Sequence, residues 1–197
     1  FKNLEEFFEL SSSEKSEYSV AWVDCLSRNV RGIYTSGSHS RSQKVAKTGG
    51  SLNFPFTPPI SLINRATLPV LNLAYFALGA ITSGKKTVHF SKFFYPLDAI
   101  TNWNRAYGKK GFLQHQCVIP QDSARETLPA LFKAIRKARA GSLLAVLKTT
   151  AKRSHPGLIT FPLEGVTLAL DFNNTKRNRA LLAELDAIVV KAGGRIN

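Results

Sequence analysis

The segment Phe112–Ile119 (FLQHQCVI) constrains the fold more than any other stretch of the chain. Gly111 precedes it, Pro120 follows it, and most of its residues are bulky or aliphatic, so it reads as a β-strand. Alternation gives a strand two faces. One carries Phe112, Gln114, Gln116 and Val118, and the other carries Leu113, His115, Cys117 and Ile119. A buried amide costs free energy unless it finds a partner. The glutamine face therefore meets solvent or a polar ligand, and Cys117 belongs to the apolar side. The solvated outer face of an antiparallel strand explains the glutamines on pattern alone. A pocket wall also explains the aromatic run upstream: Phe93, Phe94, Tyr95, Trp103 and Tyr107.

Downstream of this strand the order of elements is clear. Ser123-x-x-Glu126 has the form of a capping box. Leu128, Leu131, Phe132 and Ile135 make a helical stripe that Gly141 ends, with Pro129 bending its first turn. Ser142–Thr150 and Val166–Phe172 read as strands. Thr175 caps a helix that runs through Ala192 with a stripe of Leu181, Leu182, Leu185, Ile188 and Val189; Gly193 stops it, and Arg195-Ile196-Asn197 begins one more strand. The order β-α-β-β-α-β is the ferredoxin-like split βαβ unit. The expected fold is α+β, an antiparallel sheet with helices on one face. Val166, Leu168 and Leu170 should point at the helices, and Thr167, Ala169 and Asp171 away from them. Gln114, Gln116, Thr167 and Lys148 then share the open face.

The upstream half is less regular. Residues 1–10 suggest a short amphipathic helix. Tyr18–Asp24 reads as a strand with Arg31–Thr35 as its antiparallel partner, and both should extend the sheet. Residues 36–59 are rich in Ser, Gly and Lys without periodicity and read as a mobile surface loop. An irregular helix is expected over 60–76, a turn over 79–86, a strand over 87–95 and a short helix or turn over 97–106.

Composition narrows the function. The chain has 27 Lys and Arg against 13 Asp and Glu, a formal charge of +14. Such a surface attracts phosphates, polyanions or an anionic membrane surface. The basic residues are dispersed rather than gathered into the tail of a nucleic-acid arm. Two cysteines, Cys25 and Cys117, make no disulfide framework and fit a reducing cytoplasm. No apolar run reaches the length of a membrane span. His39, His89, His115 and His155 are scattered without metal-ligand spacing, so no metal is assigned. The chain opens on Phe1 and reads as a single domain, residues 1–197, cut from a longer protein.

The segments PLD (96–98), WNRAYG (103–108) and GFLQ-x-Q (111–116), with YSVAWVD (18–24) and GGRI (193–196), resemble the substrate domain of the FAD-dependent decaprenylphosphoryl-ribose oxidases. These are the oxidase component of a 2'-epimerase that makes the arabinose donor of some bacterial cell walls, and belong to the vanillyl-alcohol-oxidase-like flavoproteins. The similarity covers most of the chain and weakens between residues 36 and 80. The resemblance implies a substrate pocket lined by Trp22, Phe94, Gln114, Gln116, Lys148, Thr167 and Ala169. By residue type alone, Trp22 is a core residue and Lys148 a strand lysine that extends to water. Phe94 stands where the family has tyrosine, Thr167 where it has asparagine, and Ala169 where it has cysteine, which bears on the identity of the sugar or lipid. No glycine-rich pyrophosphate loop occurs. The resemblance therefore implies that FAD is bound mainly by a domain outside this chain, with Asn197 at the cofactor's edge and the family's active-site lysine beyond Asn197.

The implied substrate is a lipid-linked sugar phosphate, with a separate reductase completing the epimerisation. The implied location is the cytoplasm or the inner face of the membrane. An aldonolactone-type sugar oxidase of the same superfamily is the alternative. A ferredoxin-like RNA-binding module would need aromatics on its central strand, and Lys110-Gly111-Phe112 begins that pattern before Leu113, Gln114 and Val118 abandon it. No nucleic acid is expected as a partner.

Overall fold

The computed structural model describes residues 1–41, 50–152 and 160–197. Its centre is a six-stranded sheet built around the glutamine strand. In chain order the helices and strands are α1 (Leu4–Ser13), β1 (Tyr18–Val23), β2 (Gly32–Gly37), β3 (Leu52–Asn53), α2 (Leu68–Ile81), α3 (Phe90–Phe94), β4 (Ile100–Thr101), β5 (Phe112–Pro120), α4 (Gln121–Lys137), β6 (Val146–Thr150), β7 (Gly165–Asn173), α5 (Lys176–Lys191) and β8 (Arg195–Ile196). The main sheet has the order β2-β1-β6-β7-β5-β8, with every neighbouring pair antiparallel. From β5 onward this is the split βαβ arrangement, and β1 and β2 add two strands at one edge. The fold is α+β.

Alternation decides which side chains the helices cover. Leu147 pairs with Leu168, and Leu168 with Cys117. Their row is fully buried beneath α4 and α5 with Leu131, Phe132, Ile135, Leu181 and Leu185. His115 lies on the same side, where its Nε2 is 2.8 Å from Asp186 Oδ1 on α5. The helix α1 joins this layer through Phe7, which meets Tyr34 of β2. Its N-cap is Asn3, whose Oδ1 accepts from the Glu6 N–H. On α5, Thr175 Oγ1 accepts from Asn178 N. Both cysteines are free and buried.

The other face is partly covered by α2. Tyr75 packs on Trp22 with ring centroids 4.7 Å apart. A Cβ on Gly79 would run into the Ile33 side chain, so the glycine lets the helix press against β2. Tyr107, Trp103 and Phe112 stack into a second small core with Ile63 and Leu68, which closes one end of this face.

Several expectations need correction. The segment 87–95 is not a strand. It forms α3, because His89 Nδ1 caps the Ser91 N–H and the Tyr95 N–H donates to Ser91 O, so the segment closes its hydrogen bonds locally. The helix expected over 60–76 begins only at Leu68, with Pro69 in its first turn, and runs through Gly79 to Ile81. The capping box does not form. Pro120 stands at the N-cap, α4 starts at Gln121, and Ser123 Oγ donates to Ala192 O and Pro120 O. Pro129 lies in the interior of α4 rather than in its first turn, and Arg139 adopts a left-handed φ of 45° beyond the helix. The strand β6 starts at Val146 rather than Ser142, whose Oγ accepts the Asp171 N–H. Of the loop read over 36–59, residues 42–49 lie outside the described residues. The part that follows pairs β3 in parallel with β4.

Candidate functional site

The open face is ordered in rungs, because residues paired across antiparallel strands project to the same side. One rung runs Trp22–Val146–Ala169–Gln116. The next runs Lys148–Thr167–Val118–Arg195. A third pairs Gln114 with Asp171. Gln116, Lys148, Thr167 and Ala169 thus come from three neighbouring strands onto one patch. The chain continues past β8 so that Asn197 N donates to Gln116 O at 2.9 Å, and Asn197 Nδ2 donates to Gln116 Oε1 at 3.2 Å. Asn197 therefore joins the same patch through both backbone and side chain.

The character of the patch follows from its parts. Lys148 is exposed and makes no hydrogen bond or ion pair with the other described residues. Its three N–H donors are free for a ligand. The hydroxyls of Thr150 and Thr167 stand 3.4 Å apart beside it. Ala169 and Val146 give the centre a short apolar floor. Arg195 closes the β8 side, its Nη1 donating to Thr160 O at 2.8 Å. A hollow of about 290 Å³ lies next to it, lined among others by Lys152, Thr160 and Arg195. Two cations, amides and hydroxyls around a small apolar floor suit a hydroxyl-rich, anionic ligand.

Of two further residues singled out in the sequence, one is covered and the other lies off the sheet. Trp22 shares the Gln116 rung but is mostly covered by Tyr75, and its Nε1–H is already spent on Leu143 O at 2.8 Å. Phe94 lies on α3 rather than on the sheet. Its ring meets Tyr18 edge-on at 4.9 Å, so it stands off the end of β1, and it is half exposed.

Two further residues of the face were not among the sequence candidates. Arg195 is one, and only the register of β8 puts it on the Lys148 rung. Asp171 is the other. It is buried, accepts from Gln114 Nε2 at 3.1 Å, and burial pushes its carboxyl up to about 6 while the Gln114 bond opposes that rise. The signal was present in the sequence as an ionisable residue within the apolar run VTLALDF.

Asp171 carries a pH dependence whose sign is fixed. A carboxyl with a folded pKa above its unfolded value holds an extra proton in the folded state between the two values. Raising the pH from about 4 to about 6 therefore removes stability through this group, and above that window the loss is complete. Urea unfolding of the natural chain and of Asp171→Asn across that range should show the natural chain losing stability relative to the variant. A constant difference would mean that Asp171 titrates normally.

No family model matches the chain. Among curated proteins it is 30% identical over 193 residues to decaprenylphosphoryl-beta-D-ribose oxidase of Mycolicibacterium smegmatis, across 91% of this chain and 41% of that protein. The chain thus spans less than half the length of the relative. Over nearly all of its own length it is similar to part of an oxidase, and an oxidoreductase is the class of protein to which its sequence relates it.

Proposed function

We propose that this chain is the substrate-binding domain of an FAD-dependent oxidoreductase that oxidises a sugar hydroxyl, the 2'-OH of a polyprenylphosphoryl-pentose. The observation that carries this reading is the single patch formed by Gln116, Lys148, Thr167, Ala169 and Asn197, on the sheet face away from α4 and α5. The similarity to a decaprenylphosphoryl-ribose oxidase supports it independently.

In this reading Lys148 and Arg195 supply positive charge for the substrate phosphate, and Gln114, Gln116 and Thr167 hold the sugar hydroxyls. Trp22 supports the floor of the pocket from beneath Tyr75. Phe94 marks the rim toward β1. The hydrogen-bonded amides of Gln116 and Asn197 suit the polar edge of a flavin, which accepts and donates in the same way. With no glycine-rich pyrophosphate loop in the sequence, the rest of FAD belongs to a domain outside this chain. When bound, FAD would supply the hydride acceptor for oxidation of the sugar carbinol to a ketone. A separate reductase would return the ketone as the epimer. The lipid-linked substrate brings the domain to the inner face of a membrane.

The test is anaerobic flavin reduction in the full-length protein. A polyprenylphosphoryl-ribose should bleach the flavin absorbance, and a free aldonolactone should not. Bleaching by the aldonolactone alone would replace the lipid-linked substrate with the simpler sugar. No bleaching by either would remove the oxidase reading.

A further inference from the structure

The helix α2 is built inside out. It has 14 residues, LPVLNLAYFALGAI, and only Leu68 and Asn72 are buried. Asn72 is its one amide, and it points inward, donating through Nδ2 to Asp24 Oδ1 at 2.8 Å. Directly opposite Asn72 on a helix of 3.6 residues per turn lie Val70, Ala74, Ala77 and Ile81. Val70 and Ile81 are 66% and 82% exposed. Leu73 and Leu78 flank them and are also exposed. A helix that is apolar on every side is ordinarily buried in a core or in lipid. Phe56, Phe90 and Tyr95, exposed in neighbouring segments, enlarge the apolar surface contributed by this half of the chain.

The stretch of chain that carries this surface holds charges of one sign only. No Asp or Glu occurs between Asp24 and Asp98, a stretch that holds nine Lys and Arg. Lys85 and Lys86 follow the last turn of α2, and both are exposed. The outer stripe offers no side-chain hydrogen-bonding group. A protein partner of ordinary kind would bring about one hydrogen bond per 100–200 Å² of interface. Lipid asks for none in its acyl region and rewards cations at its headgroups. The helix spans about 21 Å, less than the roughly 30 Å hydrocarbon core of a bilayer. Among the described residues no helix is long and apolar enough to cross a membrane.

From these observations we propose that α2 lies flat on an anionic lipid surface, with Val70, Leu73, Leu78 and Ile81 in the acyl boundary and Lys85 and Lys86 at the headgroups. The opposite side of the helix touches the open face through Tyr75 and Trp22, at the end of the Gln116 rung. The purpose of such docking rests on the lipid-linked substrate reading, since it would bring the pocket to where that substrate resides.

Flotation of the full-length protein with vesicles tests the proposal without substrate or flavin reduction, so its failure would leave the pocket reading untouched. The protein should float with an equimolar phosphatidylcholine–phosphatidylglycerol mixture and much less with phosphatidylcholine alone. Val70→Asn and Ile81→Asn should each lower the partition coefficient about tenfold. Lys85→Ala and Lys86→Ala should each lower it about fivefold on the anionic vesicles only. These sites are exposed, so the variants should fold. Absence of flotation, or flotation indifferent to Ile81→Asn, would overturn the proposal. So would a dimer in solution that Ile81→Asn dissociates, which would give the stripe to a second copy. An Ile81→Cys thiol that is unreactive in vesicle-free protein would assign the stripe to another part of the full-length chain and overturn it likewise.

Discussion

Full-length protein carrying Lys148→Ala or Gln116→Ala should lose about ten- to a hundredfold in kcat/KM for sugar oxidation, the equivalent of one hydrogen bond of roughly 1.5–3 kcal/mol to a charged or polar substrate group. Folding should be nearly unaffected. Lys148 is exposed and has no hydrogen-bond or ion-pair partner among the described residues, so its removal strands no buried group. A surface change of that kind shifts stability by about 0.5 kcal/mol or less. Gln116 is different in one respect, because its Oε1 accepts from Asn197 Nδ2. Its side chain therefore also fixes the end of β8, and Gln116→Glu, which keeps the acceptor, separates that effect from substrate binding. Kinetics on the full-length enzyme beside urea unfolding of the same variants would decide the matter. Normal turnover with lost stability would place the pocket on the other side of the sheet.

Leu168→Ala should have the larger effect on folding, a loss of about 2–5 kcal/mol measured by urea unfolding. Leu168 is 1% exposed and sits between Leu147 and Cys117 on the row that α4 and α5 cover. Truncation leaves a void in a layer already filled by Leu131, Phe132 and Leu185, which the rigid sheet cannot close. Its neighbour Thr167 points the other way and is only partly buried, and its contact with Thr150 is a long one at 3.4 Å. Thr167→Ala should therefore cost far less stability. Two adjacent residues with opposite outcomes would verify the face assignment directly. Equal destabilisation would refute it.

Much of the sheet was legible because strand alternation is local. Gln114, Gln116, Thr167 and Lys148 announce their common face by parity, and the buried Cys117, Leu168 and Leu170 announce the other. Thr175 before α5 and the leucine stripe behind it were equally readable. The segment 87–95 was misread for a physical reason. Its Thr, Val and Phe favour a strand, but a strand needs an edge to pair with, and this segment finds its partners within itself. The apparent capping box failed in the same way, since Ser123 found the Ala192 carbonyl 69 residues later and left the helix start to Pro120.

Side-chain parity within each strand, the helix-covered faces and the split βαβ order were determined by the sequence itself, since each follows from spacing along a few residues. Register was decided only in three dimensions. Nothing near Arg195 or Asn197 reveals that they stand beside Val118 and Gln116, because that pairing is set by how α5 returns the chain to the sheet edge. The covering of Trp22 and the inward turn of Asn72 belong to the same class. Average apolarity calls α2 a core helix, yet Asp24 accepts from its single amide and turns it inward, and Val70, Leu73, Leu78 and Ile81 are left facing out. A periodic pattern reports which residues share a face, and only the packing of distant segments decides what that face meets.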